Sequence, residues 1–142
     1  MQLTQHTDYG LRLLIVLARM GGGPIALPEF AAEQKLSYNH VAKVAQTLAR
    51  EGFIKTRRGR SGGVELACAP GEITVGQVVR ALERGMQLAD CGHCELRHDC
   101  STSGLLAEAL AAFLAVLDRR TLAEAAQHRG PAFAPWAEPA GR

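Results

Sequence analysis

Long hydrophobic runs are missing from this 142-residue chain. A membrane-spanning helix needs about 20 consecutive apolar residues, and polar or charged residues interrupt every stretch before that. The opening MQLTQHTDYG has neither a basic n-region nor an apolar core, so no secretory leader is expected. The net charge is only +2, so the chain is neither basic nor acidic throughout. Internal repeats are missing. So are a nucleophile motif, paired carboxylates and a glycine-rich phosphate loop opening a helix. Gly59-Arg60-Ser61-Gly62-Gly63 has close glycine spacing but falls between two strand-like stretches. An enzyme is therefore not expected. Cysteines number four. A cytoplasmic location is expected, and in that reducing compartment cysteines serve as ligands or reactive thiols sooner than as disulfide staples. A chain this long buries roughly two-thirds of its surface and needs no staples to fold.

Apolar residues make up 47% and charged residues 21%, which suits one globular domain with an added element. The charge is unevenly placed. Between Lys35 and Gly63 stand seven basic residues (Lys35, Lys43, Arg50, Lys55, Arg57, Arg58, Arg60) and one acid, Glu51, for a local charge of +6. The rest of the chain therefore carries −4. Such a local field points to one anionic surface partner.

Apolar spacing predicts a helix from Asp8 to Met20, with Thr7 as its N-cap and Gly21-Gly22-Gly23-Pro24 ending it. A second helix is expected from Leu27 or Pro28 to Lys35. A third is expected from Tyr38 to Arg50, capped by Ser37, with Val41, Val44, Ala45 and Leu48 inward. Only Leu36-Ser37 separates these two, which is a helix-turn-helix signature. Phe53–Thr56 and Val64–Ala67 then flank a basic glycine loop and read as a hairpin wing. A fourth helix follows Thr74, with Val75, Val78, Val79 and Leu82 on its inner face. Gly85 breaks it, and a cysteine-bearing loop follows. From Gly104 to Leu117 two apolar seams run side by side: Leu106, Leu110, Phe113, Leu117 and Leu105, Ala109, Ala112, Val116. Two seams suit a helix lying between its own domain and a partner subunit. A short helix is expected over residues 121–127, then a tail with three prolines.

The fold class expected is mainly α with a small β-hairpin wing: a winged helix-turn-helix plus a long dimerisation helix. Residues 1–84 form the DNA-binding domain and 85–103 the cysteine loop. Residues 104–129 form the dimerisation helix with the short helix, and 130–142 a flexible tail.

A wing carrying Arg57, Arg58 and Arg60 on a glycine loop suits a phosphate backbone or a narrow minor groove. Tyr38, Asn39, His40 and Lys43 stand where a recognition helix meets base edges. Asn reads adenine and Lys reaches guanine acceptors. His40 equally suits packing against the second helix. Double-stranded DNA is the partner these features favour.

Cys91, Cys94 and Cys100 follow a C-x2-C-x5-C spacing. Three thiolates within ten residues suit zinc, copper(I) or an iron–sulfur cluster. A zinc site closed by His93 or His98, and a metal-free redox pair, also fit the spacing. Cys68, after the second wing strand, reads as a small buried hydrophobe.

MQLTQHTDYGLRLL, the Gly62-Gly63 pair after an Arg-Gly-Arg wing, and ITVGQVVRALE before a three-cysteine loop resemble the IscR/NsrR-type winged-helix regulators. Ser37-Tyr38-Asn39-His40 and LAEALAAFLAVLDRRTLAE resemble the nitric-oxide-sensing branch. The likeness covers residues 1 to about 127. It implies a homodimeric repressor on a palindromic operator, carrying one iron–sulfur cluster per subunit, 4Fe–4S sooner than 2Fe–2S. It also implies that Asp8 supplies the fourth ligand from the other subunit, with His93 and His98 as rivals, and that nitric oxide is the signal. Iron, cluster supply or redox state are alternative signals. The interval Cys94 to Cys100 matches the family pattern; that from Cys91 to Cys94 is shorter, which keeps zinc as an alternative occupant.

Overall fold

The computed structural model describes residues 2–127. The expected tail lies outside them. In chain order the elements are α1 (Gln5–Arg19), α2 (Leu27–Glu33), α3 (Tyr38–Arg50), β1 (Ile54–Arg57), β2 (Gly63–Leu66), α4 (Val75–Leu82), α5 (Ser101–Asp118) and α6 (Leu122–Gln127). The winged helix-turn-helix read from the sequence is the fold observed.

Helix α1 starts a turn earlier than its apolar stripe. Its N-cap is Thr4, whose hydroxyl accepts from the Thr7 backbone N–H. Thr7, expected as the cap, is fully buried instead. The reason is distant in sequence: both threonine hydroxyls and the Thr4 N–H donate to Glu83, at the end of α4. Helix α2 ends at Glu33, short of Lys35, because Lys35 turns left-handed with φ +56°. A glycine is usual there, since a Cβ crowds the following carbonyl. The Leu36 N–H closes the turn on the Ala31 carbonyl at 2.8 Å. Helix α3 has the expected bounds and buried stripe.

The strands pair antiparallel, Ile54 with Leu66 through Arg57 with Gly63. Ile25 adds a bridge on the far side of β2, exchanging two 2.9 Å backbone hydrogen bonds with Val64. At Gly63 the backbones lie so close that a Cβ would overlap the Ile25 carbonyl. That contact roots the wing in the turn before α2.

One core gathers Leu13, Leu14 and Leu17 of α1, Phe30 of α2, Val41, Val44 and Leu48 of α3, and Val78 of α4. Each is 0–1% exposed. Such a side chain contributes about 1.5–3 kcal/mol relative to exposure. Gly10 lets α4 approach α1, where a Cβ would overlap Leu82. Leu122 of α6 is also fully buried in this core. Its N–H bonds the Ile73 carbonyl at 2.7 Å, and Arg19 of α1 donates to the Ala126 carbonyl. The short helix, grouped with α5 in the sequence reading, thus packs into the DNA-binding unit. Cys68 is exposed rather than buried, because β2 ends at Leu66 and the chain turns outward before Pro70.

Helix α5 has no buried residue. Its 18 residues are long and apolar enough, at mean hydropathy 1.4, to cross a membrane by length and composition. Its end is fastened to α4, where the Arg80 guanidinium grips the Asp118 carboxylate through both oxygens.

Candidate functional site

Helix α3 and the wing present one surface. Tyr38, Asn39 and Lys43 are exposed on α3, and Arg57, Arg58 and Arg60 on the wing. The wing cations differ in freedom. Lys55 and Arg57 both face Glu65 of β2, at 3.3 and 3.8 Å. Arg58 and Arg60 pair with no acid among the described residues. Arg50 shares Glu51 with Arg84, which sits just past α4.

His40 is half-buried and lines the same surface groove as Asn39 and Lys43. Its ring packs tilted against Tyr9 of α1, centroids 4.7 Å apart, and lies 6.1 Å from His6. The neighbour is α1 and not α2. The His6 Nε2 lies 3.2 Å from the Thr47 hydroxyl of α3. Burial, with help from His40 and Arg50 nearby, pushes the His6 pKa down against the pull of Glu83.

Asp8 stands in the first turn of α1. Both its oxygens are held by Arg12, at 2.7 and 3.0 Å. The Arg12 guanidinium also lies 5.9 Å from the centroid of the Tyr9 ring. Asp8, Arg12, Tyr9 and His40 thus form a chain of contacts from α1 to the recognition helix.

The cysteine loop joins α4 to α5. Cys91, Cys94 and Cys100 are free thiols of intermediate exposure. Among the described residues, no group of three His, Cys, Asp or Glu side chains is arranged to hold a metal ion. The loop is instead held by its own polar contacts. Asp90 accepts from the His93 backbone N–H and from its Nδ1, the latter at 2.9 Å. Because a carboxylate only accepts, Nδ1 is the donor in this contact. Arg97 reaches back to the Gly92 carbonyl at 3.1 Å and donates to His98 Nε2 at 3.0 Å. Cys100 precedes the first turn of α5. The backbone N–H groups of Ser103 and Thr102 draw its thiol below the ordinary range, although no full capping bond forms. The donors fit a thiophilic metal or cluster by chemistry: three unbridged thiols on one short loop, one of them biased toward thiolate.

A basic wing beside an exposed helix-turn-helix defines a winged-helix DNA-binding protein. Residues 3–128 match the Rrf2 family, described as iron-dependent transcriptional regulators. The HTH-type transcriptional regulator NsrR of Halalkalibacterium halodurans is 42% identical over 128 residues, covering 86% of this chain and 88% of the relative. The NsrR of Bacillus subtilis is 37% identical over 135 residues, covering 91% and 92%. Among solved structures, the oxidised form of CymR from Staphylococcus aureus superposes with a TM-score of 0.77 at 30% identity, covering 92% of this chain and all of that one. IscR of T. potens gives 0.73 at 27%, covering 92% and 94%. The chain belongs to the Rrf2 family of transcriptional regulators.

Sequence reasoning missed Glu83, the acceptor that ties α1 to α4, and the choice of α1 as the helix His40 packs against. A C-terminal glutamate on a short helix carries no local sign of distant partners.

Proposed function

We propose that this chain is a dimeric cytoplasmic repressor whose operator binding is controlled by an iron–sulfur cluster that reacts with nitric oxide. The observation that carries this reading is the cysteine triplet placed between a winged helix and an exposed apolar helix, in a chain so similar to regulators named NsrR. Cys91, Cys94 and Cys100 would hold the cluster, with Asp8 as an oxygen ligand from the other subunit. The cluster would supply an iron that a small molecule can reach, because oxygen holds soft iron less firmly than thiolate does.

The chain's own part is the coupling. Asp8 has two partners to choose between: Arg12 on its own helix, or the cysteine loop across the dimer. With Asp8 on the loop, Arg12 is released and free to shift over Tyr9. Tyr9 packs against His40, so α1 passes the change to α3. A repressor dimer holds its two recognition helices about 34 Å apart, one DNA turn, and a small change of α3 against α1 alters that fit.

The test begins with protein purified without oxygen and assayed for iron, sulfide and absorbance. Nitric oxide is then titrated against operator retention in a gel shift. The expected result is loss of the shifted band in step with the visible absorbance. Stoichiometric zinc without acid-labile sulfide, or unchanged retention after the absorbance has gone, overturns the proposal. The description of the family as iron-dependent favours one second reading, a sensor of iron supply. In that case a chelator releases DNA at least as effectively as nitric oxide does.

A further inference from the structure

The outward stripe of α3 carries one more polar side chain than the helix start that meets base edges. Burial of Val41, Val44, Ala45 and Leu48 fixes the opposite side of the helix as outward. At about 100° per residue, Asn39, Lys43 and Gln46 fall within roughly 60° of one another on that side. All three are exposed. Among the described residues their side chains make no hydrogen bond or ion pair. The neighbours differ: Thr47 is engaged with His6 and the Lys43 carbonyl, and Arg50 with Glu51. Gln46 also stands on a ridge. One groove beside it runs between α3 and the wing, past Ala42, Thr56 and Gly62. The groove on its other side is lined by Asn39, Lys43 and Arg50. A side chain there enters a major groove that admits the helix.

We infer that Gln46 reads a base, and that Asn39 and Gln46 together read two adenines in each half-site. Both side-chain amides offer a donor and an acceptor to adenine N7 and N6. Seven residues of helix separate them by about 10.5 Å. That matches about three base-pair steps of 3.4 Å. The unpaired amide of Gln46, carried by the helix two turns past Asn39, sets the spacing of the two adenines. Apolar Ala42 lies between the two along the wing-facing side, where only a thymine methyl would find a partner. The inference rests on the reading that α3 enters the major groove.

Selection from a randomised duplex library with the full-length, anaerobically purified protein tests it. The wild type is expected to select half-sites with adenine preference at two positions about three base pairs apart. Gln46→Ala is expected to lose discrimination at one of them by about five- to 150-fold. Its affinity for random duplex and its circular dichroism stay unchanged, since alanine is the strongest helix former. Gln46→Glu is expected to move that position toward cytosine, whose amino group a carboxylate accepts. Asn39→Ala affects the other position only. The inference is overturned if Gln46→Ala selects the wild-type site with undiminished preference, or weakens all duplexes equally. A wild type that binds DNA without selecting any sequence overturns the major-groove reading itself, and this inference with it.

Discussion

Glu83 shows how one carboxylate governs the start of α1. Burial raises its pKa, but donation from Thr7 and from both the N–H and hydroxyl of Thr4 outweighs burial and holds it below the ordinary range. The folded pKa lies below the unfolded one. The contribution to stability is therefore complete above about pH 4.5 and is lost as the pH falls through the folded value. Glu83→Gln is expected to destabilise the chain by about 1–2 kcal/mol at pH 7. The gap between variant and wild type in urea denaturation closes in acid. A gap independent of pH between 7 and 3 rejects the assignment. Little of this was legible in the sequence. Thr4 and Thr7 are equally good caps locally, and only the folded position of Glu83 decides between them. For the same reason the sequence leaves His40 open between reading a base and packing on a helix, and the fold places its ring against Tyr9: a histidine at the first turn of a helix suits either role until a neighbour is placed.

At the scale of elements, periodicity carried most of the information. The bounds and buried stripe of α3 follow from its sequence, and so do the two strands of the wing within one residue at each end. The two seams of α5 were legible as seams. Their division of labour was not. Leu106, Leu110, Phe113 and Leu117 are half-buried, while Leu105, Ala109, Ala112 and Val116 are exposed. Leu105 and Val116 are 63% and 55% exposed, so in the proposed dimer the second seam is the one left for a partner subunit. In a two-fold dimer each substitution acts twice. Leu105→Glu with Val116→Glu is expected to raise the dimer dissociation constant by at least a hundred-fold, since burying two apolar side chains contributes about 1.5–3 kcal/mol each. Sedimentation velocity reads this directly. Circular dichroism should stay unchanged, because the core uses neither residue. An unchanged sedimentation coefficient would move the dimer interface elsewhere. The fate of α6 was illegible because its partner, α1, lies a hundred residues away. No pattern within LAEAAQ announces that Leu122 fills a core built by the first helices.

The whole molecule separates how strongly DNA is held from which DNA is held. The basic segment of residues 35–63 is a property of sequence, but the fold divides it. Glu65, just outside that segment, takes up Lys55 and Arg57, and Glu51 takes up Arg50. The charge offered to phosphates is thus left on Arg58 and Arg60 at the wing tip, on Lys43 of α3 and on Lys35 in the turn before it. Each phosphate contact adds about 0.9 to the slope of log affinity against log salt on B-DNA. Arg58→Ala and Arg60→Ala are each expected to flatten that slope by roughly two for a dimer, one contact per subunit. Affinity should fall to a similar degree on operator and on random duplex. Arg57→Ala should flatten it less, because Glu65 already neutralises part of that charge in the free protein. Fluorescence anisotropy over a range of salt concentrations on both duplexes distinguishes the cases. Equal slope changes for Arg57 and Arg58 would mean that the Glu65 pair opens on binding at no cost, so that the wing acts as an undivided basic loop. A loss confined to the operator would mean that the wing arginines read sequence through the narrow minor groove, and that α3 shares its discriminating role with the wing.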